Sequence, residues 1–187
     1  QLRAISIAPE KFPQLFRSMV PTHKMVMDYS HPNIGKPMGA HHLLSPALGD
    51  TIKLMYRGLG VEVIADNFVG DLGTQFGKLI HAVKNWGDIQ KIEQDPIPEL
   101  LKLYVRFHID AESDDSLDDA ARAEFQKLEK GDPENRALWQ KIVAWSRAEI
   151  QPIYDQLGVS FDVIHGESFY EDKMEPIIER GKDMGLF

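Results

Sequence analysis

The stretch "DYSHPNIGKPMGAHHLLSPALGD", from Asp28 to Asp50, holds the side chains of this chain best suited to chemistry. It reads as a strand that breaks at Ser-His-Pro-Asn, crosses a Gly/Pro loop and enters a helix at two histidines. Asn33, Lys36, His41 and His42 all fall on that crossing. In open parallel sheets ligands bind beyond the carboxyl ends of the strands, where loops run into helices. A helix N-terminus there offers free amides and a positive field to phosphate. Lysine and histidine add mobile donors that follow negative charge developing on a transferred phosphoryl group. The residue types therefore suit nucleotide chemistry. Read alone, Asn33 and Lys36 also fit as plain turn residues, since Pro-Asn and Gly-Lys-Pro are ordinary loop chemistry.

The elements that must position this loop can be read around it. "KMVMDYS", Lys24 to Ser30, alternates apolar and polar residues between Pro21 and Pro32, as a strand does. From His42 to Arg57 the apolar residues Leu43, Leu44, Leu48, Ile52 and Met55 recur at three and four, which predicts an amphipathic helix closed by Gly58 or Gly60. Pro46 falls in its first turn, where a missing amide is tolerated. "VEVIADNFV", Val61 to Val69, is a second, buried strand. A helix carrying Phe76, Leu79, Ile80 and Val83 follows. Strand, helix, strand, helix predicts an α/β, Rossmann-like parallel sheet.

From Ile89 the texture changes to three helical segments with no strand signal between them. Asp114 or Ser116 caps the second and Gly131 ends it; Asp132 with Pro133 starts the third. Along that third segment Leu138, Ile142 and Trp145 form a stripe, with Trp139 and Val143 beside it. "VSFDVI", Val159 to Ile164, restores strand alternation. The expected organisation is residues 1–88 as the first part of the sheet domain, 89–157 as a helical insertion, and 158–187 as the return to the sheet. Two or three strands are few for a doubly wound sheet, and both ends of the chain look cut, so a fragment is expected.

Composition narrows the classes. The 187 residues carry a formal charge of −8, which argues against a free-standing nucleic-acid binder. No cysteine is present, which removes disulfides, thiolate metal sites and cysteine nucleophiles. Nothing approaches the run of about 18 apolar residues that spans a membrane. The N-terminal "QLRAISIAPEKF" lacks the form of a signal peptide, so a cytoplasmic setting is expected. His41 and His42 point about 100° apart on a helix and rarely share one ion, so no metal site is expected with Asp50 or His31. His23, His81, His108 and His165 are scattered, which suits surface or satisfied core positions. Gly70, Gly73 and Gly77 fit neither the dinucleotide nor the P-loop spacing and suit a tight turn with close helix packing, Asp71 capping the next helix. Trp86, Trp139 and Trp145 sit at core-like spacings.

The quoted stretch resembles the arginyl-tRNA synthetase signature, in which D-[FY]-S-S-P-N-I-x-K-P-[FM] runs into H-x-G-H-L-R-S. "GLGVEVIADNFVGDLGTQFGKLI" resembles that family's G-D-W-G-T-Q-F-G segment, and "LEKGDPENRALWQKIVAWS" with "YDQLGVSFDVIHGESFYED" resembles the end of its inserted helices and its G-E-S-F-Y return. The likeness runs from about Pro21 to Phe187. It implies a class I aminoacyl-tRNA synthetase core, which joins arginine to AMP from ATP, with magnesium accompanying the nucleotide and no bound organic cofactor, and then charges tRNA. It implies phosphate contacts and catalysis from Lys36, His42 and His41, with Gly39 in the ATP site. It also implies an arginine pocket lined by Asp28, which would bind the α-amino group, with Ser30 and Asn33. Asp71 and Gln75 are further candidates on the adenosine side. Most family members are monomers.

Departures from the signature matter. Gly39 replaces its first histidine, His41 replaces its glycine, Leu44 its arginine, and Leu72 the tryptophan after Gly-Asp. One oriented donor of this kind is worth about a hundredfold or more in rate. Two residues along a helix start, His41 is expected to point away from the vacancy at Gly39, so weak or absent ATP activation is expected. The second signature loop, the guanidinium-reading segment and the anticodon-binding domain lie downstream in the family pattern and are not among these residues. The alternative is a synthetase-like binding or regulatory paralogue that lacks catalysis.

Overall fold

The computed structural model describes residue 20 and residues 23–186. "QLRAISIAPEKF", the strand boundary expected at Pro21, and Phe187 lie outside the described residues. The chain divides into two compact units. Among the described residues, the first is drawn from 20, 23–31, Gly39–Phe68 and Tyr154–His165, and the second from Pro32–Met38, Val69–Ile153 and 166–186.

The first unit is a βαβ element. β1, Lys24–Asp28, and β2, Glu62–Asp66, pair in parallel, with Lys24 opposite Glu62 and Asp28 opposite Asp66. Parallel strands need a crossover of a dozen residues or more, and α1, Leu44–Gly58, provides it after a 3-10 turn at Ala40–His42. The stripe that predicts α1 is not its buried face. Leu44, Leu48 and Met55 are exposed, whereas Pro46, Gly49, Asp50 and Lys53 are buried. The reason is Tyr29, whose ring fills the space a side chain at 49 would need: a Cβ there would lie 2.3 Å from its Cγ. Beside it the Asp50 carboxylate takes the Lys53 ammonium, the Tyr29 hydroxyl at 3.3 Å and the Ser160 amide at 3.0 Å.

"VSFDVI" does not become a strand. A single bridge joins Val163 to Asp66, and the amides of Asp162 and Val163 both donate to the Ala65 carbonyl. The Asp162 carboxylate accepts the Ala65 amide at 2.7 Å, so a side chain takes the place of a ladder bond.

The second unit is helical: α2, Thr74–Trp86; α3, Ile89–Gln94; α4, Pro96–Ala111; α5, Ser116–Glu129; α6, Pro133–Leu157, which belongs here as far as Ile153; and α7, Met174–Asp183. Its core joins Phe76, Leu79, Ile80 and Val83 of α2 to Leu100, Leu128 and Ile142 of α4, α5 and α6. Ile34, from the loop, is fully buried in the same cluster. Trp139 and Trp145 pack against it and Trp86 against Phe107 and Ala121, so the three indoles do pack as the spacing suggests. Gly73 has φ +125°, and a Cβ at Gly77 would fall 2.2 Å from the Ala121 carbonyl oxygen; the turn and the close approach of α2 to α5 both need glycine. Asp132 accepts the Asn135 amide at 3.0 Å at the start of α6. The side chain of Asp114 accepts from the amide and hydroxyl of Ser116 at the start of α5.

Glu124 ties three of these helices together, accepting from Lys127 at 2.6 Å, Asn135 at 3.0 Å and Lys84 at 3.1 Å. Burial alone would push its carboxyl up, but those three donors outweigh it and hold the pKa at about 2, from 4.5. A depressed carboxylate stabilises the fold above its unfolded value and ceases to do so as pH falls through the folded one. Glu124→Gln should therefore lower stability by about 1–2 kcal/mol at pH 7, after allowing for solvent screening. The difference from wild type should vanish between about pH 4.5 and 2 in urea titrations.

Candidate active site

In the first unit the histidine turn is tightly organised. Gly39 is extended, at φ −87° and ψ 165°, and its amide donates to His42 Nδ1 at 2.9 Å. With Nδ1 accepting, a neutral His42 ring carries its proton on Nε2 and presents that N–H as a donor. The His41 and His42 rings lie against each other, tilted by 42°, with centroids 3.9 Å apart. His41 does not point away from Gly39, contrary to the expectation from helical geometry. A Cβ at 39 would lie 2.8 Å from His41 Cε1 and 2.9 Å from its Nδ1. The extended backbone at 39 turns directly into a 3-10 turn, so residue 41 folds back over residue 39.

At the carboxyl end of β1 the Asp28 carboxylate holds His31 Nε2 at 2.6 Å and accepts the Phe68 amide at 3.4 Å. Ser30 and His31 both have left-handed backbone, at φ +89° and +56°, a conformation that side-chain-bearing residues adopt at a cost of about 1 kcal/mol or more. Ser30 is buried, with its hydroxyl 2.7 Å from the Tyr154 hydroxyl and its amide donating to Ser45. Burial pushes the Tyr154 phenol above its ordinary pKa, against hydrogen bonds to Ser30 and Asn67 that lower it. Asn67 donates to Tyr154 at 3.1 Å, and its side-chain Oδ1 is buried without a hydrogen-bond partner among the described residues. Opposite Asp28 in the sheet register, Asp66 accepts from the amide and Nδ1 of His165, at 3.1 and 2.8 Å. Sequence reasoning missed Asn67, Tyr154 and the His165–Asp66 pair. Asp28 and Asp66 do end equivalent strands, a signal that was available. Tyr154 is brought in from the far end of α6, and no local pattern announces it.

In the second unit Asn33 bridges to Gly70: the Ile34 amide donates to Gly70 and the Gly70 amide to Pro32, at 3.1 and 3.0 Å. The Lys36 ammonium lies 4.7 Å above the Tyr104 ring. Asp71 is buried and accepts from the amide and hydroxyl of Ser168 at 2.9 and 2.8 Å. It does not cap α2, whose N-cap is Gly73; the Ser168 donors, in the Gly-Glu-Ser-Phe turn, engage its carboxylate instead. Gln75 donates to the Gly70 carbonyl at 3.4 Å. Gly39, His41, His42, Asp28 and Ser30 are thus organised within the first unit, and Asn33, Lys36, Asp71 and Gln75 within the second.

The family model "tRNA synthetases class I (R), catalytic domain" matches residues 13–187. The chain belongs to this family. An arginine–tRNA ligase of Oenococcus oeni is 48% identical over 163 residues, which is 87% of this chain and 29% of that protein. One of Clostridium botulinum is 47% identical over 160 residues, 86% of this chain and 28% of that protein. Among solved structures, arginyl-tRNA synthetase from Plasmodium falciparum aligns with TM-score 0.65 and 26% identity, over 89% of this chain and 28% of that one. The chain spans less than a third of the length of these relatives. An α/β, Rossmann-like class I synthetase fold is what the chain shares with them. Against the family's H-x-G-H signature, the position of the first histidine is empty of side chain, and the His41 ring lies over it.

Proposed function

We propose that this chain is the first part of the catalytic domain of an arginine–tRNA ligase, with residues 89–157 a helical insertion between 1–88 and 158–187. In the full-length protein a carboxylate oxygen of arginine attacks the α-phosphorus of ATP. An acyl-phosphate bond forms, the bond to the β-phosphate oxygen breaks, and pyrophosphate leaves; the arginyl group then passes to the terminal ribose of tRNA. His42 donates from Nε2 to the oxygens that gain charge at the α-phosphate, and Lys36 neutralises the departing pyrophosphate. His41 and Gly39 lie in the same ATP site. Asp28 binds the α-amino group, displacing His31, with Ser30 and Asn33 lining that pocket and Asp71 and Gln75 on the adenosine side. Magnesium accompanies the nucleotide, and the reaction calls for no bound organic cofactor. Recognition of tRNA and of the guanidinium falls to other parts of a cytoplasmic, monomeric protein that does not enter membranes.

The observation that carries this reading is the anchored His42 ring, held by the Gly39 amide within the residues that the family model matches. The test is arginine-dependent exchange of pyrophosphate into ATP by the full-length protein. Exchange is expected with arginine and not with lysine, and Lys36→Ala or His42→Ala should each lower kcat about a hundredfold. Exchange that both variants leave intact would remove these residues from the reaction. The exchange of Gly and His between positions 39 and 41 favours a second reading, a synthetase-like binding or regulatory protein without catalysis. Calorimetric binding of ATP with no exchange under any condition would decide for it.

A further inference from the structure

Lys36 is held differently from most lysines of this protein. Among the described residues no carboxylate lies within ion-pair reach of it, and its ammonium sits over the face of Tyr104 on α4. An aromatic face attracts a cation through its quadrupole. Unlike a carboxylate, the ring does this without cancelling the charge. His108, one turn further along α4, packs edge-on against the same ring with centroids 4.5 Å apart, which limits how Tyr104 can turn.

The backbone that carries Lys36 is anchored just as firmly. Ile34 is fully buried in the core of α2, α4, α5 and α6. Gly35 has φ +78°, and a Cβ there would fall 2.8 Å from Leu79 Cδ1 of α2. Its amide donates at 2.9 Å to the hydroxyl of Ser146, a buried residue of α6. Residues 34, 35 and 36 are therefore each fixed by a different contact with the helical unit. A lysine stem has many rotamers, and a seated backbone leaves only its head to be placed.

We propose that Tyr104 is a positioning residue for Lys36, keeping its ammonium ordered and uncancelled for the polyphosphate of the nucleotide. The proposal rests on the role given to Lys36 above. In the full-length protein Tyr104→Leu should raise the KM for ATP in exchange about five- to tenfold, with the KM for arginine unchanged. Tyr104→Phe, which keeps the ring, should match wild type. In a Lys36→Ala background Tyr104→Leu should add nothing. Tyr104→Met replaces Tyr104→Leu if the leucine variant loses helical circular dichroism.

A second readout needs no activity. After reductive methylation with 13C-formaldehyde, the dimethyl-Lys36 signal, identified by its loss in Lys36→Arg, should be shifted upfield by the ring current. The shift should persist in Tyr104→Phe and disappear in Tyr104→Leu. An unshifted Lys36 signal in wild type, or a Tyr104→Leu loss of the same size with and without Lys36, overturns the proposal. Absence of arginine-dependent exchange in wild type would instead remove the ligase reading; titrating ATP against the Lys36 signal then decides the role of Tyr104, supported by weaker binding in Tyr104→Leu and overturned by equal binding.

Discussion

Gly39→His by itself is expected to leave arginine-dependent exchange at or below the wild-type level, whereas Gly39→His combined with His41→Gly should raise it about a hundredfold. The magnitude is that of one oriented donor to a developing oxyanion. The need for two changes follows from the His41 ring, which lies 2.8 Å from where the first side-chain carbon of residue 39 must go. A lone histidine at 39 meets that ring and disturbs its tilted contact with His42 at 3.9 Å. It also strains the turn whose Gly39 amide orients His42 at 2.9 Å. Removing the His41 side chain clears the space and lets the new imidazole take the signature position. His41→Gly alone separates the possibilities further. If His41 has taken over the phosphate from the space above Gly39, that single change lowers exchange; if His41 only obstructs, it leaves exchange unchanged. Steady-state exchange rates on the four proteins form a complete double-mutant cycle. A single Gly39→His variant as active as the double would show that His41 does not block position 39.

Lys53→Met is expected to destabilise the first unit by about 3–5 kcal/mol, because it strands a buried carboxylate. The Lys53 side chain is 1% exposed and that of Asp50 8%. Lys53 also donates to the Ser160 carbonyl at 2.7 Å and hydroxyl at 3.0 Å, so the pair ties α1 to the segment after the long helix. Burial by itself would raise the Asp50 carboxyl. Hydrogen bonds from Lys53, the Ser160 amide and Tyr29, with the Lys53 charge, overcome that and hold it below its ordinary 3.8. The sign is that of a depressed carboxylate: its contribution is present above the unfolded value and is lost as pH falls through the lower folded value. Replacing both partners, as Asp50→Leu with Lys53→Met, should recover most of the loss, since a well-packed apolar pair rivals a buried ion pair. Urea midpoints of the two single variants and the double variant measure this. Equal loss in single and double variants would mean that packing volume, not charge pairing, decides the site.

Much of this architecture is legible from residue order. The helices of the second unit announce themselves through apolar residues at three and four, through Asp132-Pro133 at one start and through Gly131, at φ +80°, at one end. The parallel pairing of β1 and β2 follows from strand, helix, strand. The readings of α1 and of "VSFDVI" failed where side-chain contacts overrode the local pattern. The apolar stripe of α1 faces outward because Gly49 admits the Tyr29 ring and a buried ion pair occupies the face beside it. "VSFDVI" stays irregular because the Asp162 side chain intercepts the Ala65 amide.

For the site, the sequence by itself determined the chemistry-bearing loop, the family it resembles and the two departures at 39 and 41, since these are matters of residue type and spacing. Tertiary structure alone decided that His41 lies over Gly39, that Tyr104 holds Lys36, that Tyr154 reaches Ser30 and that Asp71 binds Ser168. Those contacts join residues brought close by the folding of the backbone, and a one-dimensional pattern carries no information on distances between side chains that its own period does not relate.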